Sequence, residues 1–386
     1  MRFFTAAVAT AAVAAMVLTG CSSQKTADGG GNNKPADGKT VDWKTVTSAK
    51  DAGGFAALEA AAKKEGELNV IALPHDWSNY GQVIAAFKKK YPEIKVNEQN
   101  PDASSKDEIA AAKANKGSKN APDVFDLGIG VASTSTEYFA PYKVQAWDKV
   151  PAENKEPSGL YIADYTGLMT LGWNKDKYGD IDVTKLVSSL SDAKFKGTVA
   201  LNGKPAEAGA AMNGFLAVNL NEGGTIDDLK PGLEAFKKLK QAGTLTTVDV
   251  TKATIDAGQT GVVFDWSYNQ LSTAKRMKEK GVNWEIKPLP KGQVVQYYNQ
   301  AINKDAPHPA AARLWQEFLY TSEAQNLWMK GGAYPVLMKA MEKDGSIDKT
   351  AQANLPKLGE AISYTSDKAK TITEWLKKNW DAAIGN

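Results

Sequence analysis

The feature that most constrains the fold is a repeated alternation of helix-like and strand-like segments. A helical pattern over residues 60–64 ends at Gly66 and is followed by an apolar, strand-like run over residues 68–73. Further helical patterns lie at residues 83–90, 229–242 and 272–280 and from residue 105, and further strand patterns at 94–97, 124–127, 198–201, 261–264 and 283–288. This alternation indicates an α/β fold with mixed and mostly parallel sheets. Because open α/β sheets bind ligands beyond the carboxyl ends of their strands, the residues after each strand are candidate site residues.

Composition narrows the class of protein. The chain has 386 residues, of which 42% are apolar and 24% charged, which is enough for two globular domains. Its formal net charge of +3 is close to balance and argues against a nucleic-acid partner. One Cys and two His leave little for a disulfide, a zinc site or a His-dependent catalytic triad, so we expect no cofactor.

The N-terminus has the layout of a secretory signal. A basic Arg2 precedes an apolar stretch over residues 3–18 and small residues that end at Cys21. A Cys in this position is typical of bacterial lipoproteins, so we predict a signal peptide over residues 1–20 and acylation of Cys21. A plain signal peptide and a transmembrane helix are the alternatives, although the apolar stretch is short for a span of about 20 residues. We therefore expect an extracytoplasmic protein held at the membrane by its lipid anchor alone.

A flexible tether and a family resemblance follow from further segments. Residues 21–52 begin with a run rich in Gly, Asn and Asp, which predicts a tether. The segments at residues 61–70, 202–206, 299–307 and 331–336 resemble, in that order, solute-binding proteins of ABC importers. The group they resemble handles iron, thiamine, phosphonates and polyamines.

The resemblance implies a two-lobed type II periplasmic-binding-protein fold with a ligand cleft between the lobes. Lobe 1 would comprise residues 53–160 and 293–337, lobe 2 residues 161–292, and a C-terminal helical tail on the body residues 338–386. It also implies a monomer without enzymatic activity that delivers a small solute to an ABC permease and its ATPase. The alternative from a different class is a surface-tethered hydrolase that uses two carboxylates.

Carboxylates and aromatic rings follow several of the predicted strands. A carboxylate neutralises an organic ammonium group and a ring face attracts it, so these residue types favour a cationic, polyamine-like solute. The candidate ligand-binding residues are His75, Asp76, Trp77, Ser105, Asp126, Tyr165, Trp173, Asn202, Asp265, Trp266, Tyr268 and Tyr298. Other roles stay open: a helix cap for Asp76, a structural hydrogen bond for His75, and core packing for Trp77, Trp173 and Trp266.

Further sequence features bear on two other ligand classes, phosphonates and iron. Ser105 and Glu108 have the spacing of a capping box at a helix start, and a helix start near residues 206–211 is a second place that could bind phosphate. Beyond the signal peptide, however, Arg occurs only at Arg276 and Arg313, which disfavours a phosphonate. Tyr297 and Tyr298 suggest iron, but alternation along a strand predicts that only one of these rings faces the cleft.

Overall fold

The computed structural model describes residues 41–355 and 361–385. Cys21, the predicted signal peptide and the first part of the predicted tether lie outside the described residues. Within the described ranges, no helix combines the length and the hydrophobicity that a bilayer span needs.

Twelve strands are present in the described part of the chain. They are β1 (Glu67–Ile71), β2 (Lys95–Gln99), β3 (Val124–Gly128), β4 (Phe139–Ala140), β5 (Ile162–Ala163), β6 (Tyr165–Thr166), β7 (Met169–Asn174), β8 (Val199–Leu201), β9 (Val262–Trp266), β10 (Trp284–Pro288), β11 (Tyr298–Asn303) and β12 (Tyr334–Pro335).

Fifteen α-helices accompany these strands in the same part of the chain. They are α1 (Phe55–Glu65), α2 (Tyr80–Lys90), α3 (Ser105–Ala114), α4 (Ile129–Ala132), α5 (Lys175–Tyr178), α6 (Leu186–Leu190), α7 (Gly209–Asn221), α8 (Lys230–Gln241), α9 (Lys252–Asp256), α10 (Ser267–Glu279), α11 (Pro309–Leu319), α12 (Ser322–Lys330), α13 (Met338–Asp344), α14 (Lys349–Ala353) and α15 (Ser366–Ile384).

The strands form four sheets, of which two carry the architecture. The β11 sheet has the order β3-β11-β4 with β5 also on β11, and the β9 sheet has the order β10-β7-β9-β8. The small sheets pair β1 with β2 and β12 with β6. Among these strands, β1–β2 and β8–β9 pair in parallel. The other pairs, which involve β7, β11 or β12, are antiparallel. The expectation of mostly parallel pairing was therefore wrong in its proportion, whereas the mixed α/β class is correct.

The core is built from the buried faces of these sheets and the helices that cover them. Strands β3, β9 and β11 are buried along their whole length, as expected for strands covered on both faces. Helix α11 is almost entirely buried, and Trp315 on it packs edge-on against Phe87 of α2 at 5.1 Å between ring centroids. The strand ends are thereby fixed on a rigid scaffold.

The C-terminal helix α15 packs on helices that lie beside both large sheets. A Cβ added to Gly130 of α4, just after β3, would lie 2.5 Å from Thr373 Oγ1 of α15. Farther along α15, the Trp380 ring contacts Phe215 of α7 at 5.9 Å and Phe236 of α8 at 5.2 Å between centroids. Helix α15 therefore ties the end of β3 to the helices beside the β9 sheet.

Replacement of Trp380 is expected to destabilise the protein. Trp380 is buried, and truncation of a buried Trp to Ala leaves a cavity. We expect Trp380→Ala to lower the free energy of unfolding by about 3 kcal/mol in urea denaturation. Lys377→Ala is the matched control, because Lys377 is exposed on the same helix. Equal stability of the two variants would contradict the packing role of Trp380.

Candidate ligand-binding site

A cavity of about 410 Å³ lies where the loops after β1 and β2 meet the ends of β3, β8 and β9. Ala72, Pro74, Asp76 and Trp77 contribute one wall together with residues 101–105, 107 and 108 and Asp126. Residues 202–204 and 207–210 contribute the other together with Asp265. Residues 249–255 and the first turns of α10 complete the lining. The convergence of strand ends is the arrangement that the sequence predicts.

Backbone strain is concentrated in the two loops of the first wall. Ala72, Ser78, Asn79 and Asn100 are the non-glycine residues with positive φ in the described ranges, and all four lie in these loops. Left-handed backbone costs energy in residues with a Cβ, and it persists where the surrounding structure enforces it. The loops after β1 and β2 are therefore held in a particular shape beside the cavity.

Seven of the twelve candidate residues line this cavity. They are Asp76, Trp77, Ser105, Asp126, Asn202, Asp265 and Tyr298. Asp76 forms an ion pair with Lys252 at 2.9 Å and does not cap α2, which begins after Asn79 without a side-chain cap.

Three of the candidates do not line the cavity, because two are buried in strands and one lies on the protein surface. Trp173 is fully buried in β7 and donates its indole N–H to the Gly179 carbonyl at 2.8 Å. Since β7 is antiparallel to β9, Trp173 lies opposite Val262 at the start of β9, far along the strand from Asp265. Trp266 is buried beneath the site, and its indole N–H donates to Tyr298 Oη at 3.3 Å. His75 is exposed and pairs with Glu98.

The remaining two candidates, Tyr165 and Tyr268, lie behind the cavity wall. Helix α10 begins at Ser267, five residues earlier than predicted, so Tyr268 is in its first turn and is buried. The Tyr165 and Tyr268 rings contact each other at 5.7 Å between centroids, and the Trp77 ring contacts Tyr268 at 5.8 Å and Tyr298 at 5.7 Å. These rings form a cluster in which Trp77 alone is only partly buried. The aromatic rings therefore pack mainly against one another.

Ser105 has a different role from the predicted cap. The N-cap of α3 is Ser104, whose side chain accepts a hydrogen bond from the Asp107 amide, and Asp107 completes the capping box. Ser105 is buried, and its hydroxyl accepts a hydrogen bond from the Gly128 amide at 3.0 Å. Ser105 thus joins α3 to the end of β3, and the observed cap, Ser104, lies one position before the Ser105 cap that the sequence predicts.

A chain of hydrogen bonds leads from the cavity to a buried carboxyl group. The Trp77 indole N–H donates to Tyr165 Oη at 2.9 Å, and the Tyr165 hydroxyl donates to Asp126 Oδ2 at 2.8 Å. The Asp126 amide donates to Glu108 Oε2 at 2.9 Å. Asp126 is therefore held by groups from α3, β6 and the loop after β1.

A second carboxyl group, Asp164, lies beside Asp126. Gln300 Nε2 donates to Asp164 Oδ2 at 2.7 Å, and the Tyr165 amide donates to Asp164 Oδ1 at 2.6 Å. Burial raises the pKa of Asp126 to about 7. Burial and the Asp126 carboxylate raise the pKa values of Asp164 and Glu108 well above their ordinary range. These shifts favour the protonated forms of Asp164 and Glu108, and Asp126 titrates near neutral pH.

Asp265 on the other wall is engaged by neighbouring donors. Its Oδ1 accepts from the Trp266 amide at 2.7 Å and from Asn269 Nδ2 at 3.1 Å. Its Oδ2 accepts from Asn202 Nδ2 at 2.9 Å and from Asn269 Nδ2 at 3.2 Å. Burial raises the pKa of Asp265 to about 6, so the group is ionised above neutral pH.

The lining carries more acidic than basic side chains. The acidic ones are Asp76, Asp102, Asp107, Glu108, Asp126, Glu207, Asp249 and Asp265, and the basic ones are Lys204, Lys252 and Arg276. Lys252 is paired with Asp76, and Arg276 with Asp256. Within the described ranges, no ion pair involves Asp126 or Asp265. Both buried carboxyl groups therefore lack a basic partner in this part of the chain.

A second cavity of about 650 Å³ lies next to the first, beyond Asp76. Its lining comes from the exposed side of the loop after β1 and from α10, α12 and α14, with Leu271, Lys275 and Met329 among its residues. It contains neither of the two buried carboxyl groups. The smaller cavity is therefore the candidate site.

The tyrosine pair divides as the strand alternation predicts. Tyr298 lines the cavity, whereas the neighbouring Tyr297 is not part of the lining. In the part of the chain that the structure describes, no group of three or more His, Cys, Asp or Glu side chains is arranged to hold a metal ion.

Several lining residues were missed by the sequence reasoning. Asn269 is the most consequential, because it lies four residues after Asp265 and faces it from the first turn of α10. The missed signal was the early start of this helix directly after β9. Glu207 was noted only as part of a helix start, and it forms an ion pair with Lys106 of α3 across the cavity.

Comparison with known proteins agrees with the fold. Residues 122–358 match the family described as bacterial extracellular solute-binding proteins, and the chain belongs to this family. It is thus a solute-binding receptor of the kind that serves ABC importers, in a family of binding proteins rather than enzymes, as the sequence resemblance implied.

Solved structures with low sequence identity share the fold. The fructose-6-phosphate-bound periplasmic binding protein AfuA from Actinobacillus pleuropneumoniae is 20% identical, with a TM-score of 0.61 over 82% of this chain and 98% of that chain. The agropinic-acid complex of AgtB from A. tumefaciens R10 is 16% identical, with a TM-score of 0.63 over 83% and 99%. A ferric binding protein from Campylobacter jejuni is 18% identical, with a TM-score of 0.60 over 82% and 99%. The predicted two-lobed type II periplasmic-binding-protein fold is confirmed.

Proposed function

We propose that the protein captures a small cationic amine in the cavity between Asp126 and Asp265 and delivers it to a membrane permease. The observation that carries this proposal is the pair of buried carboxyl groups without a basic partner among the described residues. A buried charge is costly unless it is paired, and a cationic solute would supply the missing partner. The acidic excess of the lining supports the same sign of charge.

The lobe boundaries that we propose follow the sequence prediction with one change. Lobe 1 comprises residues 53–166 and 293–337 and lobe 2 comprises residues 167–292, with the first boundary moved six residues because β5 and β6 pair with β11 and β12. The β9 sheet is formed only from strands between residues 169 and 288, which supports this division. We further propose that the acylated Cys21 holds the monomeric receptor at the membrane.

The ligands of two relatives are not transferred to this chain, because its own lining does not favour an anion. AfuA holds fructose 6-phosphate and AgtB holds agropinic acid. In this chain, the guanidinium of Arg276 is engaged by Asp256 and the ammonium of Lys252 by Asp76. Both of these cations are therefore already neutralised.

Removal of the Asp126 charge tests the proposal. We expect 1,4-diaminobutane, spermidine or thiamine to raise the melting temperature and change Trp fluorescence, because Trp77 lines the cavity and a ligand selectively stabilises the native state. Asp126→Asn should weaken that binding about tenfold to hundredfold, as for the loss of a charged hydrogen bond of about 1.5–3 kcal/mol.

The controls distinguish the loss of a charge at the site from the loss of a charge elsewhere on the protein. Asp148→Asn removes an exposed carboxylate outside the cavity and should leave the affinity unchanged. Neutral 1,4-butanediol and anionic fructose 6-phosphate serve as comparison solutes. If the protein binds fructose 6-phosphate and none of the amines, the proposed cationic solute is wrong.

A further inference from the structure

Asp265 has little capacity left to accept a hydrogen bond from a solute. A carboxylate has about four lone-pair sites, and Asp265 receives one backbone and three side-chain contacts. A direct contact between Asp265 and the solute, which the sequence suggested, is therefore replaced by contacts through its neighbours.

Those neighbours are the amides of Asn202 and Asn269. An ionised carboxylate only accepts hydrogen bonds, so each Asn must direct its NH₂ group at Asp265. The opposite amide orientation would place a carbonyl oxygen against the carboxylate. Both Asn side chains line the cavity and are partly exposed, and neither amide oxygen accepts a hydrogen bond from the residues that the structure describes.

We propose that Asp265 is a positioning residue that turns the amide oxygens of Asn202 and Asn269 toward the cavity, and that this wall selects solutes bearing N–H groups over quaternary ammonium ions. The inference rests on the proposed function and specifies the chemical class of the cation. Two amide oxygens accept hydrogen bonds from a primary or secondary ammonium or a guanidinium, whereas a trimethylammonium group has no donor for them.

The aromatic residues at the site agree with this selection. Quaternary ammonium ions are bound by open ring faces arranged as a cage. Here the Trp77 ring is contacted by Tyr268 and Tyr298, and the Tyr298 ring is stacked on Tyr165 with 9° between the planes. The cluster offers a cation fewer open faces than a cage, so the polar acceptors determine which cation fits.

The test compares two dications of the same length by isothermal titration calorimetry. The probes are 1,4-diaminobutane and its derivative with both nitrogens fully methylated, titrated at pH 8. The wild-type protein should bind the primary diamine at least thirtyfold more tightly. Asn269→Leu, which removes one amide oxygen at similar volume, should lower the affinity for the primary diamine about tenfold and leave that for the methylated probe unchanged.

Asp265→Asn tests the positioning role itself. A neutral amide at position 265 no longer forces both neighbouring NH₂ groups toward it, so the preference for the primary diamine should fall to within about threefold. A merely structural role would lower the melting temperature without changing this ratio, and the melting temperature of each variant is measured alongside.

Two failures are distinguishable. Equal affinity of the wild-type protein for both probes, or full discrimination retained in both Asp265→Asn and Asn269→Leu, would overturn this inference while the cationic site stands. Absence of binding by both probes and by every amine of the first screen would remove the proposed function, and this inference with it.

Discussion

The affinity for 1,4-diaminobutane is expected to rise at least tenfold for each pH unit between pH 5 and 6.5, and to level off above pH 7.5. Burial raises the pKa of Asp126 to about 7, so below that pH the free protein carries a proton on this carboxyl group. Ion pairing requires the ionised form, and binding of the cation therefore releases the proton. Release of one proton makes the logarithm of the association constant rise with pH at a slope of about one.

The surroundings of Asp126 determine how many protons take part. The carboxyl groups of Glu108 on α3 and Asp164 before β6 face it, with the hydroxyls of Tyr80 and Tyr165 and the amide of Gln300. The pKa values of Asp164, Glu108 and both tyrosines are raised well above their ordinary range, chiefly by burial. These shifts favour the protonated forms of all four groups, and Asp126, with a pKa of about 7, titrates near neutral pH. Asp265, with a pKa of about 6, contributes below that pH.

Calorimetric titrations from pH 5 to pH 8.5 measure this slope. Repetition in buffers with different ionisation enthalpies gives the number of protons released. Asp126→Asn should remove most of the pH dependence above pH 6.5, because the remaining titrating group at the site is then Asp265. An affinity that is constant over this range, or that falls as the pH rises, would show that the solute does not pair with Asp126.

The candidate site could be predicted where residues toward the carboxyl ends of strands meet at one cavity. Asn202 follows β8, Asp265 is the next-to-last residue of β9 and Asp126 is the middle residue of β3, and all three side chains line one cavity. Trp173 is likewise the next-to-last residue of β7, but β7 is antiparallel to its neighbours, so its carboxyl end lies at the far edge of the sheet. Alternation of helices and strands does not reveal this reversal of direction, since both directions have the same local pattern.

Contacts between residues far apart in the chain could not be predicted from the sequence pattern. The hydroxyl of Tyr165 was expected to touch the solute, and it instead supports Asp126, which is 39 residues earlier in the chain. The position of Asp164 beside Asp126, where burial and the Asp126 charge raise the pKa of Asp164, likewise depends on how β5 and β6 pack on the β11 sheet. Local signals identified the residue types of the site, whereas their division into contacting and supporting groups required the fold.

A larger side chain at Gly128 is expected to weaken solute binding about tenfold to hundredfold. Gly128 ends β3 beneath Asp126, and Gly209 begins α7 on the other wall of the cavity. A Cβ at Gly128 would lie 2.7 Å from Gly209 Cα, and one at Gly209 would lie 2.9 Å from Gly128 Cα. Since φ at Gly128 is −60°, Val fits the local backbone, and the effect comes chiefly from the contact with the Gly209 backbone. Overpacking of about 1–3 kcal/mol would force the two walls apart.

Separation of the walls would act on binding more than on stability. The ion pairs Lys106–Glu207 and Asp76–Lys252 also cross between the walls, and Gly128→Val should loosen both. We expect weaker binding of 1,4-diaminobutane with a larger radius of gyration by small-angle X-ray scattering, and a graded, smaller effect for Gly128→Ala. Ala60→Val, an enlargement at an exposed position of α1, is the control. Wild-type affinity in Gly128→Val would mean that the solute binds without the close approach of β3 and α7.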